Sequence, residues 1–270
     1  MTRWLAGLPV EIAAPPGWLE VGAPAEGPPL VCVEAEEGAP PRPEGRELLA
    51  GDGVAVRERG GRLEAAVFDR SAPARGPRAW VRLDPAERRA LLVAPPPENE
   101  ADRTLREESC LELVVAHLWP LFGAAYLHAA STRAEPGARL FLGSSGAGKS
   151  TAARLLVGAG DVPLGEDRCA VGEGWAAGAP FHGGARDGGA RAPLGALFAL
   201  DREGPEGVER LSPARALLFL SACAFLTRWW APGLEAGLGR LEAIARTSPL
   251  FRLSARPDGR LVELVRRAAG

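Results

Sequence analysis

Residues 140–151 constrain the fold of this chain more than any other segment, because they join an apolar run, a glycine-rich loop and a lysine. After the apolar run Leu140–Leu142, the loop reads Gly143, Ser144, Ser145, Gly146, Ala147, Gly148, Lys149, Ser150, Thr151. This is the pattern G-x-x-x-x-G-K-[ST], the Walker A or P-loop motif, in which a strand enters the loop and a helix leaves it. The sequence therefore predicts a buried strand over 140–142 and a helix over 150–157.

Lys149 is the single lysine among the 32 lysine and arginine residues of the chain, and it stands at the lysine position of this motif. A compact ammonium on a flexible stem suits this place better than the planar fork of arginine. The loop amides and the start of the helix are expected to hold the phosphates of ATP, with Lys149 on the β- and γ-phosphates. The Ser150 hydroxyl is expected to bind Mg²⁺.

Composition and charge narrow the range of partners. The chain has 270 residues, of which 46% are hydrophobic and 24% charged, as is ordinary for a globular protein with a substantial core. The net charge of −2 gives no general affinity for polyanions, so nucleic acid is not an expected partner. The most apolar stretch, 216–226, is too short for a bilayer span of about 20 residues, so no membrane association is expected.

The cysteines and the N-terminus predict a cytoplasmic protein. The four cysteines follow neither a zinc pattern nor a disulfide framework. We interpret Cys32, Cys110, Cys169 and Cys223 as buried apolar residues in a reducing compartment. The first residues lack the apolar run and cleavage pattern of a signal peptide, so none is expected.

Two regions are predicted along the chain, a β-rich N-terminal region over 1–101 and a P-loop domain over 102–270. Proline is dense in 13–46, where it removes backbone donors and blocks helices. Short extended segments are therefore expected there, with Leu30–Val33 as one strand.

Paired apolar runs in the N-terminal region predict β-hairpins. Gly60 and Gly61 separate two such runs, as is typical of a tight hairpin turn. A further pair of runs is expected to form a second hairpin, although a short helix capped by Asp84 competes with it. The predicted strand pairs are 54–57 with 63–68, and 79–83 with 91–94.

Helices and strands alternate in the second region, which indicates an α/β core. Start and stop signals predict one helix from the capping box Thr104–Glu107 to Pro120, one from Ser212 to about Trp230, and one from Asp258 to Arg267. Further strands are predicted over 162–164, 169–171 and 193–200.

Two more segments carry candidate chemistry. Glu166 and Asp167 follow an apolar step at a short distance from the loop, and such a pair can hold Mg²⁺ with one carboxylate and accept a proton with the other. His128 lies upstream in the segment Tyr126–Ser131. A lone histidine is more often a packed or capping residue than a catalyst, so local chemistry by itself leaves the role of His128 open.

His128, the P-loop and Glu166-Asp167 together resemble the bacterial HPr kinase/phosphorylase family and its wider group of HPr-kinase-related proteins. That group shares a P-loop core with phosphoenolpyruvate carboxykinase. The resemblance covers roughly residues 104–200 and implies an α/β fold with a core of this type. The family pattern is a Leu-His segment, a strand, the P-loop, a helix and an Asp-Asp pair, and the two intervals in this chain fit it without a gap.

The resemblance implies a role for each matched residue. Lys149 and Ser150 would bind phosphate and metal, and Asp167 would be the catalytic base that deprotonates the acceptor hydroxyl. His128 would be the active-site histidine, and Glu166 replaces the first Asp of the pair. The resemblance also implies assembly into a homo-oligomer.

The chain departs from the family in its second signature. A glycine-rich segment after a Glu-Ile-Arg step is absent from the sequence, and Pro180–Arg186 occupies a comparable place. His182 and Arg186 could approach the phosphates there, or the segment is a plain glycine-rich loop. HPr itself is therefore in doubt as the substrate, as is the reverse phosphorolysis.

Other nucleotide-binding classes lack their residues in this sequence. A transporter ATPase needs an LSGGQ-like signature, a GTPase needs a second lysine, and a eukaryotic-type protein kinase needs a His-Arg-Asp loop. The sequence predicts an ATP- and Mg²⁺-dependent kinase acting on a hydroxyl, foremost a serine of a protein or peptide. A nucleotide-sensing module without phosphoryl transfer and a small-molecule kinase are the alternatives.

Overall fold

The computed structural model describes residues 2–14, 24–51, 53–69, 76–96, 98–180, 189 and 191–269, with the backbone alone at 100, 101 and 103–107. Within these residues the chain is mixed α/β and consists largely of strands, which form two eight-stranded sheets. The predicted α/β class is confirmed at this general level.

The first sheet contains the strands of the N-terminal region. They are β1 (Thr2–Leu5), β2 (Leu8–Ala13), β3 (Val31–Glu37), β4 (Arg46–Gly51), β5 (Val54–Arg59), β6 (Arg62–Phe68), β7 (Pro77–Asp84) and β8 (Arg89–Ala94). Their order in the sheet is β1-β2-β3-β8-β7-β6-β5-β4. Strand β3 is parallel to β2 and β8, and the remaining neighbours are antiparallel, as is usual for consecutive strands joined by short connections.

Both predicted hairpins are confirmed. Gly60 and Gly61 join β5 to β6 with φ of +59° and +80°, a pair of left-handed conformations that glycine adopts without strain. Strands β7 and β8 form the second hairpin. The competing helix at Asp84 is wrong, because Asp84 Oδ1 accepts a hydrogen bond from Glu87 N at 3.2 Å within a turn and strand pairing resumes at Arg89.

Helix α1 (Glu100–Leu118) follows the first sheet. The predicted start at the capping box Thr104–Glu107 is wrong, because the helix begins one turn earlier at Asn99, whose side chain accepts from Asp102 N at 2.9 Å. Its apolar face shares one buried cluster with the first sheet, and Trp119, just after the helix, donates to the Ala6 carbonyl at 2.8 Å. The predicted domain boundary at 101/102 falls inside the first turn of α1 and stays a prediction.

The second sheet contains the remaining strands. They are β9 (Ala124–Ala134), β10 (Gly137–Leu142), β11 (Val162–Gly165), β12 (Arg168–Gly172), β13 (Trp175–Gly178), β14 (Ala192–Leu200), β15 (Gly207–Arg210) and β16 (Leu250–Ser254). Their order is β10-β9-β12-β13-β14-β16-β15, and β11 pairs with β9. Strand β10 also pairs with β14, so β10, β9, β12, β13 and β14 form a closed circuit of hydrogen-bonded neighbours.

In the described part of the second region, four α-helices accompany the sheet: α2 (Lys149–Gly158), α3 (Pro213–Cys223), α4 (Ala231–Thr247) and α5 (Gly259–Ala269). The prediction of one helix from Ser212 to Trp230 is wrong beyond Cys223. Ala224 is extended and bridges to Leu127, and Phe225 N donates to the Tyr126 carbonyl at 2.9 Å, so the chain here pairs with β9 before α4 begins.

The helices of the second region cover both faces of its sheet. Helices α3 and α4 share one buried cluster with the strands, and α2 and α5 share another. Strands β10, β14 and β16 run parallel to one another. Their carboxyl ends therefore meet at one edge of the sheet, where the glycine-rich loop 143–148 leads from β10 to α2.

Two further expectations concern the cysteines and the membrane. All four cysteines are free; Cys110 and Cys169 are buried as predicted, whereas Cys32 and Cys223 are partly exposed. Cys32 points to the less buried face of β3, and Cys223 ends α3. In the described part of the chain, no helix is long and apolar enough to cross a bilayer.

Candidate functional site

Glycines determine the path of the loop between β10 and α2. Gly146 and Gly148 have φ of +78° and +100°, which other residues adopt only with strain. A Cβ on Gly143 would lie 2.8 Å from the Ala147 Cβ, so the loop folds back on itself only with glycine there. The turn is closed by Ala147 N, which donates to the Ser144 carbonyl at 3.1 Å.

Lys149 lies under this loop rather than in solvent. Its ammonium donates to the carbonyl oxygens of Gly143 at 3.0 Å and Ser144 at 3.1 Å, and the residue is only 7% exposed. Burial lowers the pKa of Lys149 below its ordinary value, while the nearby Asp167 carboxylate acts in the opposite direction. The only lysine of the chain is thus held against the loop, with the Asp167 charge close to it.

The pairing of β9 with β12 brings His128 and Asp167 together, although they are far apart in sequence. Arg168 stands opposite His128 in the register, and Ala129 N donates to the Asp167 carbonyl at 3.2 Å. The two side chains meet with His128 Nε2 at 2.8 Å from Asp167 Oδ1. Because a carboxylate only accepts, the ring nitrogen that faces it is the one that carries the proton.

Burial lowers the pKa of His128, and the positive charge of Lys149 lowers it further. The Asp167 carboxylate acts in the opposite direction but does not reverse the shift. A histidine whose pKa lies below the ordinary value is neutral at pH 7. His128 therefore serves as a neutral hydrogen-bond donor to Asp167, and Lys149 lies close enough to lower the pKa of His128.

Arg168 contacts the second oxygen of Asp167. Its Nη1 bonds to Asp167 Oδ2, and its Nε donates to Glu112 Oε1 of α1 at 2.7 Å. The guanidinium also lies over the Phe225 ring, 4.5 Å from its centroid. Arg168 thereby links the Asp167 carboxylate to the helix that packs on the first sheet.

The other residues predicted for the site make no contact with the His128–Asp167 pair among the described interactions. Ser150 and Thr151 are exposed in the first turn of α2, beside Lys149. Glu166 is exposed and makes no hydrogen bond or ion pair with any described residue, so the structure does not bring it into the His128–Asp167 contact. His182 and Arg186 lie outside the described residues.

The donors at the loop can be compared with the needs of Mg²⁺. Groups of three or more His, Cys, Asp or Glu side chains suited to a metal are absent from the described residues. A hydroxyl such as that of Ser150 and a carboxylate such as that of Glu166 are oxygen donors, which Mg²⁺ accepts when phosphates and water supply its other ligands.

Several residues at the loop were not predicted from the sequence. Arg202, just after β14, donates from Nε to the Ala147 carbonyl at 3.2 Å. Burial raises the pKa of Cys223, and the Gly143 amide and Lys149 oppose that shift, which places the thiol beside the loop. Arg202 could have been predicted to lie near the loop, because it follows a strand whose carboxyl end meets that of β10 at one edge of the sheet. Nothing in the sequence indicates that Cys223 or Glu112 lies near the site.

Comparison with known proteins does not assign the chain to a family. No protein-family model matches the chain, and no curated protein matches it significantly.

Proposed function

We propose that this protein is an ATP- and Mg²⁺-dependent kinase with an HPr-kinase-type P-loop core, which phosphorylates a hydroxyl group, foremost a serine of a protein or peptide. The observation that carries the proposal is the convergence of Lys149 and the His128–Asp167 pair beside the glycine-rich loop. A cytoplasmic location and assembly with further copies of the chain belong to the same proposal, and they rest on the sequence and the resemblance.

The proposed reaction assigns each side chain one task. The acceptor oxygen attacks the γ-phosphorus of ATP, the bond from that phosphorus to the β–γ bridging oxygen breaks, and ADP leaves. The hydroxyl proton passes to Asp167, whose carboxylate offers about four lone-pair positions, of which His128 and Arg168 occupy two. Lys149 and the loop amides stabilise the charge on the transferred group.

The oxygen donors at the loop fit a magnesium ion that arrives with the nucleotide. Ser150 would hold it, and Glu166, which is exposed and makes no hydrogen bond or ion pair with the described residues, would be its carboxylate donor. When bound, Mg²⁺ supplies positive charge to the phosphate oxygens. The chain's own residues do the remaining work of holding the phosphates and the proton.

One observation favours a second candidate, a nucleotide-sensing module without phosphoryl transfer. Arg168 binds the Asp167 carboxylate directly, so one oxygen of the proposed base is already engaged by a cation. Glu166 in place of an aspartate points the same way. In such a module the nucleotide would bind at the loop and the Asp167 contacts would change without chemistry.

The test is an incubation of the purified protein with ATP labelled at the γ-phosphate and a panel of serine peptides and small hydroxyl compounds. Label on a peptide supports the proposal, and label on a small compound identifies a small-molecule kinase instead. Binding of ATP without transfer to any acceptor would sink the kinase proposal and leave the sensing module. Lys149→Met is expected to abolish binding or turnover in every case.

Two Asp→Asn variants distinguish the loss of a catalytic base from the loss of one negative charge. Asp167→Asn should keep ATP binding and lose transfer by about a hundredfold or more, the usual size of a missing general base. Asp84→Asn removes a carboxylate from the turn between β7 and β8 of the first sheet and should leave transfer unchanged. Equal activity in Asp167→Asn and wild type would remove Asp167 as the base.

A further inference from the structure

Two clefts adjoin the glycine-rich loop on the side of β14. The α2 cleft, of about 580 Å³, is lined by the first turn of α2 (Gly148, Thr151), by Arg202 and by residues after β16 (Arg256, Pro257). The α3 cleft, of about 820 Å³, is lined by Ser144 and Ser145 of the loop and by residues of α3 such as Leu218 and Ala222. Arg202 contributes to both clefts and stands between them.

The direction of a nucleotide on the loop distinguishes the two clefts. In a P-loop the amides at the start of the helix hold the α- and β-phosphates, and the lysine reaches the β- and γ-phosphates. Here Lys149 lies near the contact that His128 of β9 makes with Asp167, so the γ end is expected there if Asp167 is the base of the proposed reaction. The α-phosphate then lies at the first turn of α2, and the cleft that continues from Thr151 and Gly148 is the α2 cleft.

Charge in the α2 cleft agrees with this direction. Arg256 makes no side-chain hydrogen bond or ion pair with the described residues, and Arg202 bonds only to the Ala147 carbonyl among them. The two carboxylates at this cleft are already paired, Asp201 with Arg252 and Glu206 with Arg260. Two exposed guanidinium groups thus remain available to a ligand that carries phosphate and an aromatic base.

We infer that the α2 cleft holds the nucleoside of the bound nucleotide, with Arg202 and Arg256 contacting its base, ribose or α-phosphate. The inference rests on the proposed nucleotide binding at the loop and adds the residues that the motif does not specify. The carboxyl ends of β14 and β16 supply both arginines, which is the position where open α/β sheets bind ligands.

The experiment compares ATP with inorganic tripolyphosphate, each with Mg²⁺, by titration calorimetry on the full chain. Tripolyphosphate offers the phosphates without a nucleoside, so the wild type should bind ATP more tightly. Pro257→Trp places a large side chain in the α2 cleft at an exposed position and should weaken ATP about tenfold while tripolyphosphate changes by about twofold or less. Ala222→Trp is the matched control in the α3 cleft and should leave both affinities unchanged.

Arginine variants provide a second measurement that does not depend on how a tryptophan is accommodated. Arg202→Ala and Arg256→Ala remove exposed side chains and should each weaken ATP about fivefold. Arg154→Ala, at an exposed position of α2 outside both clefts, removes the same charge and should have no such effect.

The outcomes are distinguishable from failure of the proposed function. Loss of ATP affinity in Ala222→Trp but not in Pro257→Trp would overturn the inference and place the nucleoside in the α3 cleft. Equal wild-type affinity for ATP and tripolyphosphate, or unchanged ATP affinity in all α2-cleft variants, would also overturn it while nucleotide binding stands. A wild type that binds neither ligand would overturn the proposed function itself.

Discussion

Helices α1 and α2 each follow a strand of their own sheet, but their first turns are built in opposite ways. At α1 the Asn99 side chain accepts from Asp102 N at 2.9 Å, and Asp102 Oδ2 accepts from Glu98 N at 3.0 Å, so side chains of the chain itself cap this end. At α2 the position before the helix is Gly148, and neither a capping side chain nor an acidic residue stands in the first turn.

The other ends of the two helices differ as well. Helix α1 ends inside the core, where His117 and Trp119 are buried, whereas α2 ends on exposed Gly158. The comparison teaches that α1 is a structural element closed at both ends. Helix α2 has no side chain of its own that caps its first amides or faces its partial positive charge, in agreement with the proposed phosphate site.

The largest expected effect concerns the closed end of α1. Burial lowers the pKa of His117 to about 4, and its Nε2 has no partner among the described residues. Because the unfolded chain binds this proton near pH 6.5, folding stability is fully present above that pH and falls as the pH decreases toward 4. The loss should reach about 3 kcal/mol in urea unfolding over this range.

The variant His117→Gln isolates that contribution, because glutamine does not titrate and can still donate to the Leu113 carbonyl that His117 Nδ1 contacts. The variant should lose less stability than the wild type between pH 7 and pH 4. His128 shifts in the same direction and remains in both proteins. An identical pH dependence in the two proteins would contradict the buried neutral histidine.

The next effect tests the glycine at the open start of α2. Gly148→Ala should reduce the free energy of unfolding by about 1–2 kcal/mol, because alanine at φ +100° is strained. Crowding adds little, since the nearest atom to the new Cβ is Arg202 Nη2 at 3.4 Å, the end of a flexible side chain.

Gly239→Ala in α4 is the matched control for that variant. Gly239 lies within the helix and has open space around a new Cβ, so alanine there should stabilise the protein by about 0.5–1 kcal/mol. Destabilisation of similar size in both variants would show that the left-handed conformation of Gly148 is not the cause.

A charge placed at α2 tests whether its first turn is left open for an anion. Thr151→Asp supplies a carboxylate at an exposed position there, which should hold or slightly raise the melting temperature while weakening ATP about tenfold. Thr151→Asn has the same shape without the charge and should keep most of the affinity. Titration calorimetry measures the ATP affinity of both variants. Equal affinity in the two would argue against an anion site at the first turn of α2.

The smallest effect is expected at the cap of α1. Asn99→Ala leaves the Asp102 amide without its acceptor and should lower the free energy of unfolding by about 1 kcal/mol, with no change in ATP affinity. Urea unfolding and calorimetry on the same sample measure both quantities. A change in ATP affinity would mean that α1 is coupled to the loop, and the Glu112–Arg168 contact would be the route to examine.

Local signals in the sequence were enough for much of the fold. The Gly60-Gly61 turn and the strand–loop–helix around Lys149 were predicted because each depends on the conformation of neighbouring residues. The end of α3 was not, because no breaker follows Cys223 and its apolar residues continue in helical pattern to Trp230. Pairing of Ala224 with Leu127 ends the helix there, and that contact joins distant parts of the chain.

The sequence by itself determined where the loop lies, since glycines at 143, 146 and 148 permit conformations that other residues adopt only with strain. It also nominated His128 and Asp167 but could not show that they touch. Only the tertiary structure decided that contact, together with the bonds from Arg168 to Asp167 and Glu112. The reason is physical: the register of β9 on β12 and the packing of α1 depend on contacts between residues far apart in the sequence, which local preference does not specify.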